Sequence, residues 1–508
     1  MAAEPVQPLP APIGAALVGI ETQALAAHIR YLASPTLEGR GLATPGLEAA
    51  AEYAAASLAR EGIPPLASDY FQRVPLRMIS DFRGLLTVKR LSAAGSRILT
   101  FPSGADCVFS QLAPQTISAP VVFAGYGIRE PELGRDDYRG LDVRGAVVLA
   151  HAGAPAGEPW KRPDLVSRYA SSDDDERWEA KLETARVLGA AALLGIEGKS
   201  FAAREQKWAG APFFLAEDKP AGPEDITLVR VSQTVADVLL ETAGLNRASA
   251  GSLRTGPIQG ATFTIRLTGT ERSASGRSVI GVIAGSDPKL REDAVVIGAH
   301  LDHLGVFRGK LYPGADDNAS GVAALIEIVR ALAGLEVKPK RTVVAAFWTG
   351  EEEGKFGSGF YVRNPLWPLD RTVAYLNLDM IGHPWLLEEI RKLVNEAALP
   401  AGEAFLAKVK PAEFVEPGLP PGAADLEAAL RRAGRALGLA LHFDRTDGTN
   451  GGSDYRDFAR ARVPFIRFFG NFFPAYHEPG DTPDALDPAQ VQRMARLVLA
   501  TAWLIADR

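Results

Sequence analysis

The sequence predicts an α/β protein: an open, mostly parallel sheet flanked by helices, with a β-rich insert. Three observations lead there. From Arg277 onward, short apolar or β-branched runs alternate with helical patterns, as in chained βαβ units. The stretch 106–269 reads as a separate module with no cluster of histidines and carboxylates. Beyond it, histidines and carboxylates fall just after the strand-like runs, where an open α/β sheet places its site.

The elements follow in order. From Thr22 to Gly62 the pattern is helical: Leu25, Ile29 and Leu32 recur at helical spacing, and Leu47 to Leu58 is an Ala-rich second helix. LASPTLEGRGLATPG between them is a Gly/Pro-marked loop. Short β-like runs begin near Tyr70, at Phe71–Met78 and Leu85–Leu91. In the insert, VVFAGYG (121–127) and GAVVLAHAG (145–153) read as buried strands bounded by glycine, and KLETARVLGAAALLGIEG (181–198) as a helix running into a strand. FTIRLTG (263–269) alternates like a half-buried strand. SVIGVIAG (278–285), DAVVIGA (293–299), TVVAAFW (342–348), TVAYLNL (372–378) and VPFIRFF (463–469) suit interior strands, and Ala319–Leu335 is helical. The expected division is 1–105 and 270–508 for the main domain, with 106–269 inserted.

Composition narrows the function. A chain of 508 residues with 47% hydrophobic and 23% charged residues has the make-up of a globular protein of two or three domains. A net charge of -6 and a pI near 5.8 offer no general attraction to nucleic acid or anionic membranes. Cys107 is the single cysteine, so neither an intrachain disulfide nor a Cys-rich metal knuckle is available. No stretch approaches the length of a membrane span. The Ala/Pro-rich start has neither a basic n-region nor a continuous apolar h-region, which fits a natural N-terminus or a mature one left by signal-peptide removal.

Five segments carry the chemistry: GAHLDHLG (298–305), GADDNASG (314–321), WTGEEEG (348–354), LNLDM (376–380) and AYHEPGDTPD (475–484). Two zinc ions sharing a bridging carboxylate need about five protein ligands, open positions for water and substrate, and a free carboxylate as base. His300, Asp317, Glu352, Asp379 and His477 are the ligand candidates, and Glu351 is the spare carboxylate.

Each candidate has a bland reading beside it. In His300-Leu301-Asp302, extended backbone puts both side chains on one side, so Asp302 can accept the distal ring N–H of a metal-bound His300. His303 is expected to pack the loop or support the site without ligating. Aspartates before a helix are commonly caps; Asp317 is expected to bridge the metals and Asp316 to serve the turn. Asn318-Ala319-Ser320 matches a glycosylation sequon, but a glycan there would block the site. An acidic run such as Glu351-Glu352-Glu353 is usually a solvated turn, yet it follows a buried strand and lies between Gly350 and Gly354. Adjacent carboxylates in a tight turn diverge, so one can bind metal while its neighbour handles protons. Asp379, ending an apolar run, needs a partner if buried. His477, among Phe472, Phe473 and Tyr476, would alone be a packed loop histidine. There is no H-E-x-x-H helix, G-x-S-x-G elbow, Walker loop or G-x-G-x-x-G fingerprint.

Together these segments resemble the co-catalytic di-zinc aminopeptidases of the MH clan, which include aminopeptidases S and Y and glutamate carboxypeptidase. The N-terminal helices with LEGRG and the chain from about Arg277 are similar to the peptidase domain. GYG…DDYRGLDVRGAVVLA is similar to the start of an inserted protease-associated (PA) domain. The resemblance implies that His300 and Asp379 bind one zinc, Glu352 and His477 the other, and that Asp317 bridges them. It implies Glu351 as general base and Asp302 as support for His300. It also favours an exported protein. Glu478 stands where many relatives have threonine, SDYRDF (453–458) replaces the more usual SDH-x-x-F, and the stretch from His383 to Gly452 matches only loosely. The expected activity is removal of N-terminal residues from peptides, with an apolar pocket near Phe472, Phe473 and Tyr476. The rivals are a carboxypeptidase using Arg445, Arg456 or Arg467, a one-zinc glutaminyl cyclase, and a non-catalytic scaffold.

Overall fold

A computed structural model describes residues 9–92, 95–104, 106–110, 114–171, 176–197, 213–218, 226–242, 255–307, 309–396 and 402–508. The chain forms two compact units, one of Met1–Leu76 with Ala274–Arg508, the other of Arg77–Ser273. The insert expected over 106–269 lies inside the second unit. That unit's edges fall within two long strands, Phe71–Ser92 and Gly256–Ile283, instead of in loops.

In the first unit the helices include α1 (Thr22–Leu32), α2 (Pro45–Arg60), α3 (Gly321–Ala333), α4 (Phe356–Arg363), α5 (Tyr455–Arg460) and α6 (Pro488–Ala506). Four strands run parallel: β1 (Ala294–His300), β2 (Thr342–Trp348), β3 (Thr372–Asp379) and β4 (Phe465–Phe469). Their order is β4-β3-β1-β2, and residues 279–283 add an antiparallel strand beside β2. Every residue of β1 and β2 is buried. Continuous apolar runs form such strands because helices cover both faces. On one face Val296, Val344, Trp348 and Tyr375 pack with Tyr361, Tyr455 and Phe458 from α4 and α5. On the other lie α3 and α6, which also pack on each other and on α1.

Local signals start the helices where the sequence places them. Thr44 Oγ1 accepts the Leu47 N–H ahead of α2, and Asp487 accepts the Ala489 N–H ahead of α6. Each cap precedes a proline at the first helical position, whose missing N–H costs nothing there.

The pairing registers make the strand ends nearly flush. His300 lies opposite Trp348, and Asp379 opposite Phe469. Loops leaving the carboxyl ends of all four strands therefore start from one edge, which positions the site.

The second unit has its own core. Gln115–Phe123, Val147–His151, Ala192–Ile196 and Thr227–Val231 form parallel neighbours, edged by Cys107–Ser110 and by residues 256–267 running antiparallel. Residues 85–92 and 95–102 form a hairpin, so the β-like run from Leu85 to Leu91 belongs to a strand that begins at Phe71. Among the described residues, no helix is long and apolar enough to cross a membrane.

Candidate metal centre

The five predicted ligands come from five separate segments and meet at the carboxyl edge of the sheet. His300 is the last residue of β1, Asp379 the last of β3, and Glu352 lies just beyond β2. Asp317 sits in the turn before α3, and His477 in the loop after β4. His300 Nε2 lies 3.4 Å from Asp379 Oδ1 and 3.5 Å from Asp317 Oδ1. His477 Nε2 lies 2.9 Å from Asp317 Oδ2 and 3.2 Å from Glu352 Oε2. The two oxygens of Asp317 thus face opposite histidines, as a shared carboxylate between two cations must.

His300, Asp317 and Asp379 form one group able to hold a metal ion; His303, Asp317 and Glu352 form a second. His303 is therefore closer to the chemistry than the sequence suggested. Its Nδ1 is 2.8 Å from Glu352 Oε1 and 3.7 Å from Asp317 Oδ2, on the same carboxylates that His477 meets. His477 approaches Asp317 more closely and meets the other Glu352 oxygen.

Electrostatics test the fit. Burial, and then the neighbouring Glu352, pushes the Asp317 carboxyl well above the usual range. Burial opposes charging His477, but Glu352 and Asp317 outweigh it and raise the imidazole to about 10. Despite its burial, Asp379 holds His300 well above an ordinary histidine. In His303, burial dominates and lowers the ring to about 4. Without cations, then, this pocket would have to take up protons to offset its buried carboxylates. Divalent cations would supply that charge instead, and His and carboxylate donors suit zinc.

Asp302 does something different from the expected bond to the His300 ring. That ring's Nδ1 is 3.2 Å from the Asp302 backbone carbonyl but 3.9 Å from the carboxylate. The carboxylate instead accepts the N–H groups of Glu351 and Glu352, both at 3.1 Å. The chain turns just after His300, which aims Asp302 at the acidic turn following β2. Asp316 also reaches beyond its own turn, accepting the Gly382 N–H at 2.7 Å and meeting His383 Nδ1 at 2.7 Å. Asn318 is fully buried and bonded to the Leu378 carbonyl, which leaves its sequon no access.

Three residues of the frame escaped the sequence reading. Arg40 is buried and gives its guanidinium to the carbonyls of Leu301, Leu32, Pro313 and Gly314. Asp481 accepts the backbone N–H of Asp316 (2.8 Å) and Asp317 (3.1 Å), fixing the loop that carries the shared carboxylate. Gly314, at φ 60°, has no room for a β-carbon, which would meet the Asp317 carbonyl and the His303 ring. Only the LEGRG and GDTPD loops hinted at the first two. Left-handed backbone at Arg40, Met380 and His477 gathers around the same edge, as strained residues do at functional sites. Tyr476 stacks on His477, Phe472 packs edge-on against Tyr476, and Phe473 stacks on His383.

Residues 278–502 match the profile of peptidase family M28. That match covers the part of the chain that holds all five candidate ligands. A probable lipoprotein aminopeptidase, LpqL, of Mycobacterium tuberculosis is 26% identical over 92% of this chain and 81% of its own length. Leupeptin-inactivating enzyme 1 of Streptomyces exfoliatus is 32% identical over 40% of this chain and 46% of its own. Among solved structures, an aminopeptidase from Aneurinibacillus sp. strain AM-1 matches with a TM-score of 0.58 and 18% identity, covering 97% of this chain and 95% of that one. The zinc aminopeptidase BSAP from Bacillus subtilis matches with 0.52 and 19%, covering 96% of each. At these identities the structures show a common fold. The part of the chain that carries the site is thus similar to a peptidase family.

Proposed function

We propose that this protein is a two-zinc aminopeptidase that removes N-terminal residues from peptides with Glu351 as general base. The observation that carries the reading is Asp317, whose Oδ1 faces His300 and whose Oδ2 faces His477. His300 with Asp379 would hold one ion and Glu352 with His477 the other, Asp317 serving both. Bound zinc supplies a water of lowered pKa and a Lewis acid for the scissile carbonyl. Glu351 accepts a proton from the attacking water and returns it to the departing amine. Asp302 holds the amides of Glu351 and Glu352, setting base and ligand in one rigid turn.

The partner is a peptide with a free amino end. A carboxypeptidase needs a cation free for the terminal carboxylate, but the arginines offered for that role face carboxylates of their own. Arg445 pairs with Glu427, Arg467 with Asp444 at 3.1 Å, and Arg456 lies 3.7 Å from Asp457. The aromatic wall of Phe472 and Tyr476 beside His477 supports an apolar pocket for the residue removed. The PA-like insert is assigned to residues 106–269, within the unit Arg77–Ser273.

Glu351→Gln tests the base. It keeps size and turn geometry, so turnover should fall by about 10²–10⁴-fold while zinc content stays at the native level. Full activity in that variant removes Glu351 from the mechanism.

A further inference from the structure

A tight turn folds Lys355 back over Glu351. The Glu351 carbonyl accepts the N–H of Gly354 at 3.1 Å and of Lys355 at 3.0 Å, and Phe356 bonds back to the Gly350 carbonyl at 2.9 Å. Closing the turn puts Lys355 in the left-handed region, φ 60°, at the start of α4. Glycine would relieve that strain. The position instead holds a lysine whose side chain is 13% exposed, with its ammonium 3.3 Å from Glu351 Oε1. Burial works against the charged amine, but Glu351 and the fully buried Asp454 outweigh it and keep it protonated.

A free carboxylate beside a two-cation site tends to join the ligand set. The general base must avoid that and keep one oxygen turned to the attacking water. We propose that Lys355 is a positioning residue for the general base, its ammonium anchoring one oxygen of Glu351 so that the other stays free for the proton. The inference rests on Glu351 being the base. A lysine four residues on performs this because the turn returns its stem over Glu351; arginine, with the same charge but a bulkier planar guanidinium on a three-carbon stem, performs it in part.

The test uses Lys355→Met, Lys355→Arg, Glu351→Gln and the double variant Lys355→Met/Glu351→Gln. In metal-free protein, urea unfolding midpoints of the two single variants and the double should be non-additive, because each substitution removes the same contact. In zinc-loaded protein, K355M should lower kcat on a leucyl anilide at least tenfold, with KM and zinc content unchanged, and K355R should recover part of the loss. A merely structural lysine would move stability and leave kcat alone. Additive midpoints, or a K355M kcat within twofold of native beside an inactive E351Q, overturn the proposal and leave the base assignment standing. An active E351Q instead removes the base and the role of Lys355 with it. If K355M does not fold, Lys355→Gln gives the same readings.

Discussion

At the scale of single residues, the site depends on carboxylates that serve more than one neighbour. Asp317 faces two histidines, and Asp302 grips two consecutive amides. Removing the Asp302 carboxylate should loosen Glu351 and Glu352 together. We predict that Asp302→Ala loses about 10–100-fold in zinc affinity or kcat, the usual loss for a residue that orients a ligand. Zinc titration followed by assay of the loaded variant checks this, and native values in both would show that the turn holds itself. The five candidate ligands that the fold brings together were legible in sequence, since each follows a strand-like run or opens a Gly-rich turn. His303 was legible only as a supporting or packing residue, and Lys355 was not singled out. Their roles depend on how tightly two turns fold back, which residue spacing alone does not encode.

At the scale of elements, the frame is held by a buried cation and by the registers of parallel strands. Arg40 reaches across the chain to the carbonyls after β1 and before α3, the segments that carry His300 and Asp317. Arg40→Met would strand those carbonyls and the Leu32 carbonyl without donors. Each buried unpaired group costs about 1–3 kcal/mol, so we predict a loss of at least about 3 kcal/mol in urea unfolding. A loss under about 1 kcal/mol would mean that water or a shifted side chain replaces the guanidinium. Helices α1 and α2 and all four parallel strands were readable from periodicity and apolar runs. The edges of the insert were less so. A reading that seeks boundaries in Gly/Pro-rich loops misses a chain that passes from one unit to the other within continuous strands, as at 76/77 and 273/274.

At the scale of the whole molecule, the first unit carries the candidate metal centre, and the second unit carries a buried charge of its own. Lys181 is fully buried and donates to the carbonyls of His151 (2.8 Å) and Gly153 (2.6 Å). Burial lowers its amine from 10.5 to about 7. Between those values the unfolded chain holds a proton that the folded chain has released, so the Lys181 contribution to stability rises with pH across that window. We predict that the urea midpoint for the second unit climbs more steeply between pH 7 and pH 9 in the native protein than in Lys181→Met; parallel slopes would contradict it. Net charge argued against a nucleic-acid partner, but a lysine in a charged helical run gave no sign that it would be buried.

The central claim is a metal-dependent aminopeptidase. Its most direct test incubates purified protein with free and N-acetylated aminoacyl anilides, with and without a chelator. The account predicts cleavage of free-amine substrates alone, leucyl faster than lysyl, abolished by chelator and restored by zinc. Cleavage of the acetylated anilides, activity that survives the chelator, or no cleavage by zinc-loaded protein would contradict it.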